Sequence, residues 1–264
     1  MIIDFHTHCF PDKIALKAME QLKLRSGITK PFHDGSVDGL MKLQKRDGVD
    51  CSVVLNIATN PRQQTAVNDF AISLKEVEGI IPFGSVHPDS PDALRELERI
   101  KENGLKGVKL HPDYQGFFID DEKMFPIYEK IGELGLITVL HSGFDIGYPE
   151  PVHCTPKALS TVLKYFGGAP VVAAHFGGLC ARPETLEHLA GKDIYLDTAY
   201  CYGMLTPRKA KELIDVHGAD KILLGSDAPW NSPEQDIELV KCFGLTEDEE
   251  KAVLGGNAQR LLDL

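Results

Sequence analysis

The chain has 264 residues, 43% of them hydrophobic, with 28 Lys and Arg against 39 Asp and Glu and a formal net charge of −11. This length suits one α/β barrel with a large core, and so acidic a chain repels a phosphate backbone, which makes nucleic acid a poor partner. The six cysteines show no CxxC spacing and several adjoin apolar runs, as reduced buried thiols of a cytoplasmic protein do; Met1 starts no recognisable leader, and no apolar run nears the ~20 residues of a membrane span.

Ile2-Ile3 to Phe5 predicts a first strand, ending in His6-Thr7-His8-Cys9. Val53-Val54-Leu55 predicts a second and Ile80-Ile81 through Val86 a third. Ser90-Pro91 then opens a helix that Gly104 closes, with Leu94, Leu97 and Ile100 on its apolar face. Val108 to Leu110 is the fourth strand and Leu136-Ile137-Thr138-Val139-Leu140 the fifth. Thr155-Pro156 and Gly167 bracket a helix before the sixth strand, Val171-Val172-Ala173-Ala174. Ile194-Tyr195-Leu196 is the seventh, followed by a helix between Thr206-Pro207 and Gly218. Ile222-Leu223-Leu224 is the eighth; a helix from Ser232-Pro233 to Gly244 follows, and Thr246 with Glu249 forms a capping box. The hydroxyl caps free N–H groups, proline at the first helical position loses only an unpartnered donor, and glycine accepts the left-handed turn at the end.

The apolar runs are nearly continuous, as in parallel strands covered on both faces. Eight strands alternating with helices fit a closed (β/α)8 barrel or an open doubly wound sheet. The second wants a glycine-rich turn after its first strand, and here that turn is His6-Thr7-His8-Cys9. The prediction is α/β, a single TIM barrel over residues 1–264.

Of ten histidines, six fall at or just past a predicted strand end: His6, His8, His87, His111, His141 and His175. A barrel brings its strand C-termini to one mouth, so these should approach one another. His6 and His8 lie at i and i+2, where side chains share a strand face, and Asp4 is expected on that face one step deeper. Asp227 follows the eighth strand. Imidazoles with a carboxylate suit zinc, one or two ions, and less selectively manganese or iron.

Asp4-Phe5-His6-Thr7-His8, a histidine after the fifth strand, another after the sixth and Gly225-Ser226-Asp227 after the eighth together resemble the amidohydrolase superfamily. The sequence is most similar to the amidohydrolase 2 branch, which includes aminocarboxymuconate semialdehyde decarboxylase and related aromatic-acid decarboxylases. Gly107-Val108-Lys109-Leu110-His111-Pro112 and Gly256-Asn257-Ala258-Gln259-Arg260-Leu261 extend the likeness over nearly the whole chain. The resemblance implies His6, His8, His141 and Asp227 as metal ligands. It implies His175 as a catalytic acid/base or a ligand of a second metal, with Asp227 also taking part in catalysis. Lys109 matches the position that bridges two metals when carboxylated, and a free lysine there could instead bind a substrate carboxylate.

Two reactions fit this constellation. One is hydrolysis of a small-molecule amide, lactone or ester by a metal-activated water. The other is non-oxidative decarboxylation of an aromatic or unsaturated acid. A non-catalytic metal-stabilised barrel does not need both His175 and Asp227, and the related metal-dependent deoxyribonucleases conflict with the charge and with the fourth-strand motif. Loop residues expected at the pocket are Lys109, His111, Tyr114, Trp230 and Arg62, with Asn56, His87, Phe144, Arg182, Tyr200 and Tyr202 as further candidates. The expected partner is a small molecule, with neither nucleic acid nor membrane; self-association is left open.

Overall fold

The eight apolar runs form eight strands, each pairing in parallel with its neighbour: β1 (Ile3–Thr7), β2 (Cys51–Leu55), β3 (Ile80–Phe83), β4 (Gly107–Leu110), β5 (Ile137–Leu140), β6 (Val171–Ala173), β7 (Tyr195–Asp197) and β8 (Ile222–Leu223). The structure, a computed structural model, describes residues 1–28, 30–148, 150–179 and 183–264. Arg182, a pocket candidate, and Cys180 lie outside the described residues.

Ladders run β1-β2-β3 and β4-β5-β6-β7-β8. Two seams join them. Gly84 donates to Gly107 O at 2.9 Å and accepts from Lys109 N at 2.8 Å, bridging β3 to β4. Phe5 N donates to Leu224 O at 2.7 Å, Asp227 N to His6 O at 2.8 Å and His8 N to Ala228 O at 2.7 Å, bridging β8 to β1. Every strand therefore has two neighbours, and the sheet is the closed barrel that the alternation predicts.

The helices lie outside. In chain order they are α1 (Asp12–Ser26), α2 (Val37–Asp47), α3 (Gln64–Ser73), α4 (Ala93–Glu102), α5 (Pro112–Gln115), α6 (Phe125–Leu134), α7 (Pro156–Val162), α8 (Pro183–His188), α9 (Pro207–His217), α10 (Pro233–Lys241), α11 (Glu247–Lys251) and α12 (Asn257–Leu262). Thr155 and Thr206 cap α7 and α9 through their hydroxyls, and the Thr246–Glu249 capping box is present. Two details differ from the sequence pattern. α4 begins at Ala93 rather than at Ser90-Pro91. Its buried face then runs through Ala93, Glu96, Leu97 and Ile100 at helical spacing, which leaves Leu94 39% exposed. Ser232 precedes α10, but its hydroxyl donates to Asp47 at 2.8 Å instead of capping.

One apolar layer joins the outward faces of the strands (Val108, Leu110, Leu140, Leu196, Leu224) to helix residues such as Leu97, Ile131 and Leu213. Each fully buried side chain of this size contributes roughly 1.5–3 kcal/mol. A second cluster fills the barrel with Ile3, Phe5, Val53, Leu55, Phe83, Val139, Val172 and Leu223, and α12 packs Ala258 and Leu262 into it. The first strand departs from the simple pleat. Its register on β2 shifts between Asp4 and Thr7. Phe5 therefore belongs to the interior cluster although the next residue, His6, also reaches the interior side chains Lys109 and Asp197. A bulge re-aims a side chain in this way. Asp4, expected on the face of His6, instead accepts from His6 N (3.2 Å), Ser226 N (2.9 Å) and Ser226 Oγ (2.5 Å), tying the bulge to the turn that carries Asp227. Burial raises the Asp4 carboxyl to about 7 against those bonds.

No helix among the described residues is long and apolar enough to cross a membrane.

Candidate metal centre

Two groups of imidazole and carboxylate converge at the strand C-termini: His6, His8 and Asp227, and His111, His141 and Asp145.

The first group is assembled by the β8–β1 seam. His8 Nε2 lies 3.1 Å and His6 Nε2 3.4 Å from Asp227 Oδ1. The other nitrogen of each ring is engaged. His6 Nδ1–H donates to Asp197 Oδ2 at 2.8 Å, and His8 Nδ1–H donates to the Leu55 carbonyl at 2.9 Å. In the neutral rings both Nε2 atoms are thus bare lone pairs aimed at an oxygen that also only accepts. Three converging acceptors are a donor set that suits a metal ion, with Lys109 Nζ as a neighbouring donor 3.3 Å from His6 Nε2, and outer partners that fix the tautomer of metal-binding histidines are the usual arrangement. These residues fit a divalent metal by the chemistry of their donors. Burial works to raise Asp227, but the His8 contact and the charges of His6, His8 and His175 outweigh it and hold the carboxyl below its ordinary value. Burial, then the Lys109 charge, holds His6 well below the usual imidazole range.

Lys109 lies inside the barrel with Nζ 3.3 Å from His6 Nε2. Burial lowers it to about 8, against the pull of Asp197, Asp227 and Asp145. His175 is fixed from both sides: its N–H donates to Asp197 Oδ1 at 2.8 Å, and its Nδ1–H donates to the Ala199 carbonyl at 2.9 Å. Its Nε2 is then an acceptor, and His141 Nδ1–H donates to it at 3.1 Å. The His6 and His175 ring centroids are 5.2 Å apart. His175 and Asp227 both have positive φ, 58° and 65°, a left-handed backbone costing an L-residue roughly 1–2 kcal/mol. Such strain is concentrated at functional sites.

His141, expected beside His6, His8 and Asp227, lies 3.1 Å through Nδ1 from His175 Nε2, and it also neighbours His111. The reason is register: Leu110 pairs with Leu140, so the next residues, His111 and His141, are neighbours across β4 and β5, and their rings stack at 4.0 Å and 8°. Asp145 Oδ2 is 3.5 Å from His111 Nε2 and 3.9 Å from His141 Nε2. Behind them Asp113 accepts from His153 Nδ1–H at 2.7 Å.

The pocket candidates divide. Tyr114 stacks on His111 at 3.8 Å, and Trp230 N donates to Asp227 O at 2.8 Å. Phe144 helps line a cavity of about 270 Å³ between the loops after β5 and β6, with Gly143, Val152, Pro156 and Gly178. Asn56 instead ties β2 to β3 through the Phe83 carbonyl at 2.9 Å. His87 accepts from Asp89 N at 3.2 Å and belongs to neither group. Arg62 is exposed, and no described hydrogen bond or ion pair joins its side chain to either group. Tyr202 is 46% exposed, and Tyr200 has a φ of 58°. Cys9 and Cys154 are buried thiols pushed up to about 12, unsuited to nucleophilic work. Sequence reasoning missed Asp197, Asp145, Asp113 and His153. Asp197 ends the seventh apolar run, a strand-end position of the kind that singles out the histidines.

A closed parallel (β/α)8 barrel with clustered imidazoles and carboxylates at its C-terminal mouth defines a TIM-barrel protein with a candidate metal centre. The chain belongs to the amidohydrolase family: the Amidohydrolase model Amidohydro_2 matches residues 3–264. A 2-amino-3-carboxymuconate-6-semialdehyde decarboxylase from Dictyostelium discoideum is 28% identical over 210 residues, 65% of this chain and 57% of that protein's length. An uncharacterized TIM-barrel protein from Bordetella bronchiseptica superposes with a TM-score of 0.79 at 18% identity, covering 99% of this chain and 98% of that one. A dihydroxybenzoic acid decarboxylase from a Polaromonas species, with bound manganese and the inhibitor 2-nitroresorcinol, gives a TM-score of 0.71 at 17% identity over 100% of this chain and 97% of that one.

Proposed function

We propose that this chain is a metal-dependent, non-oxidative decarboxylase of an aromatic or unsaturated carboxylic acid. The observation that carries the reading is the convergence of His6 Nε2, His8 Nε2 and Asp227 Oδ1, with their tautomers fixed by Asp197 and Leu55. Two of the proteins named above, those from Dictyostelium discoideum and Polaromonas, are decarboxylases, which favours this reaction over hydrolysis, the other one the constellation allows. His6, His8 and Asp227 would hold zinc or manganese, which would supply positive charge for a substrate carboxylate and for negative charge developing on the substrate.

The chain's own groups handle the proton. Ala199 occupies His175 Nδ1, so Nε2 is the one nitrogen of this ring that can take and give a proton. Protonated there, His175 delivers it to the carbon that loses its carboxylate: the C–C bond breaks, CO2 leaves, and a C–H bond forms. Asp197 holds both His6 and the backbone of His175, which fixes the distance between metal-binding and proton-bearing groups. Lys109 favours an anionic substrate near His6, while His111, Tyr114 and Trp230 bound the approach.

The test is turnover of hydroxybenzoates and aminocarboxymuconate semialdehyde by the metal-loaded protein in D2O. CO2 release with one deuterium on the decarboxylated carbon supports the reading. Cleavage of amides or lactones without CO2 from any acid overturns it.

A further inference from the structure

We infer that Arg25 is a positioning residue: from the last turn of α1 it clasps the Asp145–Tyr148 turn at the barrel mouth, and so sets the wall against which a flat substrate ring packs. The ring-packing role rests on the aromatic-acid reading above; the clasp does not.

α1 ends at Gly27, whose left-handed φ of 72° lets its N–H close on the Lys23 carbonyl. A cation in that last turn suits the helix dipole, but Arg25 reaches further, to the loop after β5. Its Nη1 donates to the Tyr148 hydroxyl, and its guanidinium carbon lies 4.6 Å from the centroid of that ring. The stem of Arg25 runs along the adjoining backbone. A Cβ on Gly147 would meet Arg25 Cγ at 2.9 Å, so this approach needs a glycine.

From Tyr148 the contacts continue inward. Its ring centroid is 5.2 Å from that of Tyr114, and Tyr114 stacks on His111 at 3.8 Å and 18°. His111 Nδ1 accepts from Tyr114 N at 3.4 Å, so the ring hydrogen sits on Nε2, 3.5 Å from Asp145 Oδ2. Asp145 closes the turn it starts: Oδ1 accepts from Gly147 N at 2.7 Å, and its carbonyl accepts from Tyr148 N at 3.1 Å. Tyr148, Tyr114, His111 and Asp145 thus form a closed circuit, which Arg25 pins from outside the loops after β4 and β5. Burial, then the charges of Asp145 and Asp227, raise the Tyr114 phenol, which keeps its hydrogen beside the metal centre. A guanidinium over a partly exposed ring is a contact of modest strength, enough to hold the turn and still let it open for ligand exchange. A planar ring gains stacked or edge contacts from such a wall that a puckered ring does not.

Hydrogen exchange by NMR on the intact chain tests the clasp, and calorimetry on the metal-loaded protein tests its consequence. In Arg25→Met the Gly147 and Tyr148 amides should exchange at least about threefold faster, with β5 amides unchanged. The same variant should bind 2-hydroxybenzoate roughly three- to tenfold more weakly, the range a cation–π contact and one hydrogen bond allow, and cyclohexanecarboxylate less than about twofold more weakly. Adding Tyr148→Phe to Arg25→Met should weaken 2-hydroxybenzoate no further, because Arg25 acts through Tyr148. Unchanged amide exchange overturns the clasp. Equal losses for the two acids overturn the positioning role, since Arg25 would then be a charge that attracts any carboxylate. A wild type that binds neither acid overturns the aromatic-acid reading and the ring-packing role with it, while the exchange rates still decide the clasp.

Discussion

Replacing Asp197 by asparagine should weaken the primary metal site without touching a metal ligand. Asp197 Oδ1 accepts from His175 N at 2.8 Å and Ala199 N at 3.1 Å, so the amide oxygen of an asparagine is held at that position. Its NH2 then faces His6 Nδ1, which the aspartate holds as a donor at 2.8 Å. A donor there makes Nδ1 the acceptor and moves the ring hydrogen to Nε2. That hydrogen blocks the lone pair and meets Lys109 Nζ, 3.3 Å away. Outer-shell changes of this kind lower metal affinity 10–100-fold, or about 1.4 to 2.7 kcal/mol. Competition with a chromophoric chelator for Zn2+ measures it. Burial raises the Asp197 carboxyl, so the charge is not stabilised in place and the metal-free variant should unfold at or above the wild-type temperature. A Zn2+ affinity within twofold of wild type would refute the tautomer argument.

Lys109→Met should stabilise the metal-free protein at pH 7. The folded state lowers this amine from 10.5 to about 8, a burden on the order of 3 kcal/mol. Its sign is set by proton release: between pH 8 and 10.5 the native lysine is neutral while the unfolded one stays charged, so wild-type stability rises relative to the variant across that window. Denaturant titrations of both proteins at pH 7 and 10.5 should show the gap closing, and parallel profiles contradict it. Gly107→Ala places a Cβ 2.4 Å from Ile137 O and from the Phe83 ring, and should cost roughly 1–3 kcal/mol in urea unfolding. Tyr128→Phe strands the Ile119 carbonyl, which the buried hydroxyl meets at 2.9 Å, at a cost of about 1–2 kcal/mol by the same measurement. Thr246→Ala removes the capping box of α11 and should cost about 1 kcal/mol in thermal unfolding.

The barrel was legible because strand burial on both faces leaves a continuous apolar signal, and all eight runs appear as strands. The site was legible where chemistry sits at strand ends: His6, His8, His111, His141, His175 and Asp227 all gather at the mouth. Two things were not. A residue's partner depends on lateral register, and the pairing of Leu110 with Leu140 puts His141 beside His111. The bulge in β1 likewise engages Asp4 with the His6 and Ser226 backbone, and no two-residue period reveals a bulge. Asp145 and Asp113 lie in loops, whose path no hydrophobic pattern encodes. Asp197 differs: it ends an apolar run and could be found by surveying carboxylates at strand ends along with histidines.

The central claim is that His6, His8 and Asp227 hold a divalent metal. Crystals of the protein grown with Mn2+ and measured at the manganese edge test it most directly. The account predicts an anomalous peak about 2.0–2.3 Å from His6 Nε2, His8 Nε2 and an Asp227 oxygen. A map with no peak there, at full Mn2+ occupancy elsewhere or nowhere, would contradict it.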